Sequence, residues 1–337
     1  GFDWRAAEAR INRFDQYLAE IDGRDVHFIH QRSPHADATP LLMVHGWPGS
    51  IVEFLEVIPR LTEPEKFGGN SEDAFHVLCP SLPGYGFSAA ALERGVAPRR
   101  IAESHAALMA MLGYDRFMAQ GGDWGAVTSR YLPDVCPERM LRLHLNLAIP
   151  RPPEGVEDAM ALLSEQDRKR VEGWAADEWM LTGYAHIQGT RPQTLAYGLL
   201  DSPVALAGWI TEKFREWTQN DGDLRDVVSW DDLLTNISLY WFTGTIGTSA
   251  RLYREHFDLL RQGILPRARC EVPTGLAIYP GELWLQPRAW AEREYDLVHW
   301  YDAPRGGHFA ALEQPVLFSA DLWSFHRTIR ALRHAKT

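Results

Sequence analysis

The apolar run Phe117–Ala119 gives way almost at once to Gly121-Gly122-Asp123-Trp124-Gly125, and helical spacing resumes over Ala126–Leu132. A strand that becomes a helix across so short a glycine turn leaves few architectures open. The strand must end at the carboxyl edge of a sheet, and the helix must pack back against it. The apex residue is then held in a strained backbone conformation with its side chain pointing off the edge. Small neighbours are required because the turn has no room for larger ones. Asp beside glycine is also a common helix cap, so these five residues alone leave Asp123 open between a cap and a reactive carboxylate.

The surrounding chain agrees with the sheet. Trp4–Phe14 has helical spacing, and Tyr17–Ile21 and Val26–His30 flank Asp22-Gly23, a two-residue hairpin signal. Short apolar runs at Leu41–Val44, Phe75–Leu78, Phe117–Ala119 and Leu141–Leu147 are interleaved with longer helical patterns such as Ile101–Leu112. Such alternation predicts a mostly parallel sheet covered on both faces. After Pro150 the rhythm changes to aromatic-rich helical spacing. Strand-like runs return at Thr274–Ile278 and Leu297–Tyr301, before a last helix over about Gln314–Ala335. The expected organisation is a core in two parts, 1–150 and 248–337, interrupted by a helical cap at 151–247.

Composition narrows the class further. A chain of 337 residues, 45% hydrophobic and 23% charged, can bury a full core. Its net charge of −11 argues against a nucleic-acid partner, since phosphate binding needs a basic surface. Cys79, Cys136 and Cys270 are too scattered for a disulfide framework or a zinc cluster. No apolar run is long enough to span a bilayer and no signal peptide is visible, so a cytoplasmic location is expected. The chain starts at Gly1, without Met, inside a helical pattern, and an upstream segment is expected to be missing.

Two further glycine-rich segments follow strands. In His45-Gly46-Trp47-Pro48-Gly49-Ser50 the backbone N–H groups can face a cavity, and the Trp47 and Trp124 N–H groups are the expected oxyanion hole. Arg305-Gly306-Gly307-His308-Phe309 follows the last strand. Among 13 histidines, His308 alone combines a glycine-rich loop, a late position and a strand end. A carboxyl group is ordinarily ionised at neutral pH, so a base beside Asp123 is needed for water rather than for the nucleophile. The acid that orients His308 is expected at Glu282, in Tyr279-Pro280-Gly281-Glu282-Leu283. Glu294, Asp296 and Asp302 are its competitors by proximity.

His45–Ser50, Gly121–Gly125 and Arg305–Ala310 together resemble the microsomal-type epoxide hydrolases, which include juvenile hormone and fungal enzymes. The resemblance runs from about Trp4 to His326 and takes in Gly183–Gln188 and Leu234–Trp241. It implies an α/β-hydrolase fold with an inserted helical cap. It implies an enzyme that opens an epoxide through an ester on Asp123, which water activated by His308 and Glu282 then hydrolyses to a vicinal diol. No metal or organic cofactor is implied. The family's two lid tyrosines fall by motif on Tyr184 and Tyr253, with Tyr240 and Tyr197 as possible substitutes. Trp47, Trp124 and Trp241 are expected to line a pocket for a bulky apolar or aromatic epoxide; the oligomeric state is left open by the sequence, a homodimer being one expectation. The family usually carries an extension ahead of the hairpin. The chain is also similar to bacterial members from antibiotic biosynthesis, enediyne pathways included.

Two other readings compete. A haloalkane dehalogenase shares the Asp nucleophile, the His base and often a Trp after the nucleophile. It needs N–H donors for halide and no phenolic acid, so the tyrosine pair discriminates. A catalytically silent ligand-binding homologue would leave these slots without chemical work.

Overall fold

In a computed structural model, residues 1–90, 93–149, 151–264 and 269–334 are described; Pro150 and Ala335, named above as boundaries, lie outside them. Eight strands form one sheet: β1 (Gln16–Ile21), β2 (Arg24–Gln31), β3 (Thr39–Val44), β4 (Phe75–Pro80), β5 (Phe117–Gly121), β6 (Met140–Leu145), β7 (Cys270–Ile278) and β8 (Tyr295–Asp302). Their order is β1-β2-β4-β3-β5-β6-β7-β8. The β1–β2 hairpin turns at Asp22 (φ 54) and Gly23 (φ 73), the pair of positive angles a two-residue turn requires. It meets β4 antiparallel, and every later pairing is parallel.

Alternate side chains of the central strands feed two cores, one on each face. Leu42, Val44, Ala119 and Leu143 pack into one cluster, while Leu41, Met43 and Met118 enter the other. The three cysteines are free and buried.

Register is what assembles the functional loops. Val44 pairs with Gly121, so the loop after β3 and the turn after β5 leave the sheet side by side. Ile278 pairs with Asp302, and a parallel bridge between Gly281 and Gly307 extends that pairing into the next two loops. All four loops emerge at the carboxyl edge.

Between β6 and β7 the chain is helical: Glu165–Leu181, Gly183–Thr190, Pro192–Asp201, Pro203–Trp217, Trp230–Thr243 and Ile246–Arg261. The helices continue past position 247. Gly244, at φ 63, caps one helix and the next begins at Ile246, so the helical insertion runs on across the expected boundary. This insertion is tied directly to the loops beneath it. Asn236 Nδ2 donates to the Pro48 carbonyl (2.7 Å), Tyr240 Oη to the Gly49 carbonyl (2.7 Å), and the His308 N–H to the Trp217 carbonyl (2.8 Å). Among the described residues no helix is long and apolar enough to cross a membrane.

Candidate active site

Asp123 is the first residue of the helix Asp123–Ser129 and has φ 47, in the left-handed region that L-residues avoid. The glycines around it are sterically obligatory. A Cβ at Gly125 would lie 1.8 Å from the Val44 carbonyl oxygen, and one at Gly121 would lie 2.3 Å from the Gly125 carbonyl. The turn can be this tight only with neither side chain present. A Cβ at Gly46 would fall 2.0 Å from Asp123 Oδ1, so that loop leaves the carboxylate its space.

One carboxylate oxygen, Oδ1, accepts the Trp47 N–H at 2.7 Å. Trp124 contributes no such bond to the carboxylate among the described residues, so one of the two expected oxyanion donors is engaged. The other oxygen, Oδ2, lies 3.4 Å from His308 Nε2. On the far side of the ring, His308 Nδ1 donates to both oxygens of Glu282, at 2.9 and 3.0 Å. Burial disfavours the imidazolium, but Glu282 and Asp123 outweigh it and hold the proton affinity of His308 well above the ordinary value. Of the competing acids, Asp302 accepts the Trp300 indole N–H and Glu294 sits 3.9 Å from Arg130. Glu282 is the carboxylate that reaches His308.

Tyr184 and Tyr253 come from two different helices of the insertion, and their rings lie 5.8 Å apart. Trp47 organises both: Tyr184 stacks on it at 5.3 Å and Tyr253 meets it edge-on at 5.8 Å. Tyr253 Oη is buried near the Tyr184 hydroxyl and the Trp124 indole without a well-formed hydrogen bond to either. Burial and the nearby negative charge of Asp123 raise both phenols above their usual range. The two substitutes are elsewhere: Tyr240 Oη is occupied by the Gly49 carbonyl, and Tyr197 is 68% exposed.

Asp123, Trp124, Tyr184 and Tyr253 open onto a cavity of about 390 Å³, walled also by Trp174 and Trp284. His256 joins the lining as a neutral ring, because burial pulls its pKa down to about 4. Trp47 is not in that lining and acts from beneath, through its ring contacts and its N–H. Trp241 is a correction. It is half-buried on the helix Trp230–Thr243 and lines no part of this cavity. Asn236 and Tyr240, four apart, turn one face of that helix to the Pro48–Gly49 loop. The next residue points about 100° away.

Residues that sequence reasoning missed include Trp284, two positions past Glu282, and Glu313. The Glu313 carboxylate accepts the Gln219 N–H (3.0 Å) and the Phe309 N–H (3.1 Å), clamping the His308 loop to the insertion. Burial pushes its carboxyl up to about 7, against those bonds. Its only signal is a glutamate five residues after a glycine-bounded histidine.

The sheet order, the left-handed apex and the Asp–His–Glu chain define an α/β hydrolase, and residues 39–178 match the family model described as "alpha/beta hydrolase fold". Residues 1–54 match the model described as "Epoxide hydrolase N terminus". A Stigmatella aurantiaca relative is 44% identical over 98% of this chain and 74% of its own. Epoxide hydrolase 1 of Sus scrofa is 38% identical over 96% of this chain and 76% of its own. The crystal structure of juvenile hormone epoxide hydrolase from Bombyx mori superposes with a TM-score of 0.87 at 33% identity, covering 98% of this chain and 82% of that one. The chain belongs to the epoxide hydrolase family. Its reaction is the addition of water to an epoxide.

Proposed function

We propose that this epoxide hydrolase works through a covalent ester on Asp123, and that its substrates are bulky apolar or aromatic epoxides. The observation that carries the reading is the position of His308, with Glu282 on Nδ1 and Asp123 facing Nε2. Asp123 Oδ2 attacks an epoxide carbon from the floor of the cavity, and the ring C–O bond breaks. Tyr184 and Tyr253 donate to the oxygen that leaves. An alkoxide is strongly basic, and a phenol whose proton is held more tightly than usual parts with it only as that charge develops.

Ester formation removes the Asp123 charge, one of the two carboxylates that raise the proton affinity of His308. The imidazolium is then less favoured, so the neutral imidazole that the next step needs as its base is more available. That imidazole takes a proton from water as the water attacks the ester carbonyl, and Glu282 fixes its tautomer. Oδ1 becomes the oxyanion, already within reach of the Trp47 N–H. The bond between the Asp123 carboxyl carbon and Oδ2 breaks, the diol leaves with the proton from His308, and the second proton of the water returns to the phenol that gave one up, so that carboxylate and tyrosine are both restored. The cavity volume falls in the range of small-molecule sites, and its tryptophan and tyrosine walls suit an apolar body.

The haloalkane reading keeps one supporting observation, the Trp124 indole N–H buried beside Tyr253 Oη without a well-formed hydrogen bond. The test therefore uses His308→Gln with a styrene oxide, a lipid epoxide and a haloalkane. A substrate-sized mass increase on the Asp123 peptide with the epoxides is expected. An adduct with the haloalkane alone, or none with an epoxide that the wild type turns over, would overturn the proposal.

A further inference from the structure

Behind the nucleophile, separate from the aromatic cavity, lies a second cavity of about 10 Å³. That is room for one water. Its polar walls are Asp123, His308, Asn146, His45 and Glu53, with Trp47 and Phe309 among the apolar ones. A buried water needs two to four polar partners, and this wall supplies them. Glu53 has no part in the cycle above.

Glu53 is half-buried in the short helical turn Ile51–Phe54, three residues after Ser50. That spacing is a capping box, and the Ser50 N–H does approach the Glu53 carboxyl. A cap alone, however, explains neither where the carboxyl lies nor its state. Among the described residues no cation pairs with it. Burial, with Asp123 adding and His308 opposing, pushes its pKa up to about 8, so it is mostly a neutral acid at pH 7. Gly49 is shaped around it, since a Cβ there would fall 1.6 Å from Glu53 Oε1.

Resting on the ester mechanism proposed above, we infer that Glu53 holds the hydrolytic water. The water donates one proton to His308 Nε2 and its other hydrogen bond to a Glu53 oxygen, which leaves its lone pair free for the Asp123 ester carbon. The proton transferred in the attack goes to His308. Glu53 gains and loses none. A neutral acceptor suits this task, because a second carboxylate charge would repel the oxyanion forming on Asp123.

The test separates the half-reactions in the intact protein with a styrene oxide, by rapid quench and mass analysis of the Asp123 peptide. Glu53→Leu removes the acceptor. It should slow ester breakdown about 10- to 100-fold, the scale of a misplaced reactant, with ring opening changed less than about twofold. The ester then accumulates, and kcat and KM fall together. Glu53→Gln keeps a neutral acceptor and the cap, and should retain most of the breakdown rate. Gly49→Ala displaces the carboxyl without touching residue 53 and should reproduce the defect, which keeps the test open if Glu53→Leu does not fold. Ester breakdown at the wild-type rate in Glu53→Leu or Gly49→Ala would overturn the inference, as would an equal loss in both half-reactions. Failure to detect any ester in the wild type would instead strike the mechanism beneath it.

Discussion

Replacing Tyr253 by Phe removes one hydroxyl from the oxygen-binding pair and leaves the ring packing intact. A donor aimed at developing charge in a water-excluded site is worth about 3 kcal/mol, or about 10²-fold in rate. That loss should appear in ring opening alone, because the ester half-reaction uses His308, Glu282 and the Trp47 N–H. Stability should move the other way. Tyr253 Oη is buried without a well-formed hydrogen bond, and an unsatisfied buried hydroxyl costs about 1–3 kcal/mol. Phe relieves that cost, so the melting temperature should hold or rise, by about 1–2 °C per kcal/mol for a chain of this size. Tyr184→Phe should slow the same step. The double variant should cost less than the sum, because both hydroxyls serve one oxygen and the rings are 5.8 Å apart. Single-turnover tryptophan fluorescence is the natural assay, since Trp47 and Trp124 flank the nucleophile. Ring opening within threefold of wild type in Tyr253→Phe would refute the assignment. So would an activity loss matched by a loss of stability.

Two other perturbations probe the acid and the scaffold. Glu282→Gln presents an amide to His308 Nδ1 and favours the wrong tautomer, so ester hydrolysis should fall by about 10³- to 10⁴-fold while ring opening persists, as burst kinetics would record. Asp321 is buried between His144 Nε2 (2.9 Å) and His299 Nε2 (2.6 Å), and Asp321→Ala should cost about 3–5 kcal/mol in urea unfolding at pH 7. Burial raises the Asp321 carboxyl, but the two histidines outweigh it and leave its pKa lowered. Its contribution is therefore full above the unfolded value of about 3.9 and lost as the pH falls through the lower folded one. The gap between variant and wild type should narrow below about pH 4, and a constant gap would contradict that sign.

What the sequence made legible was local or ordered along the chain. The strand–turn–helix around Asp123 is visible because its glycines answer to contacts within a few residues and to the neighbouring Val44 carbonyl. Glu282 and His308 could be placed because each follows a parallel strand, and parallel strands deliver their loops to one edge. The errors came where helix faces or long-range packing decide. Trp241 was assigned to the pocket on aromatic character, yet its neighbour Tyr240 owns the inward face. Trp284 and His256 line the cavity through packing that periodicity does not encode. Glu53 was hidden in plain view, since a glutamate three residues after a serine reads as an ordinary cap. Only the fold brings that turn up behind the nucleophile.

The ester on Asp123 is the centre of this account, and oxygen tracing tests it most directly. In a single turnover in ¹⁸O water with excess enzyme, the label should enter the Asp123 peptide, and the diol should carry an unlabelled oxygen from the enzyme. Label appearing directly in the diol, with none in Asp123, would mean that water attacks the epoxide itself.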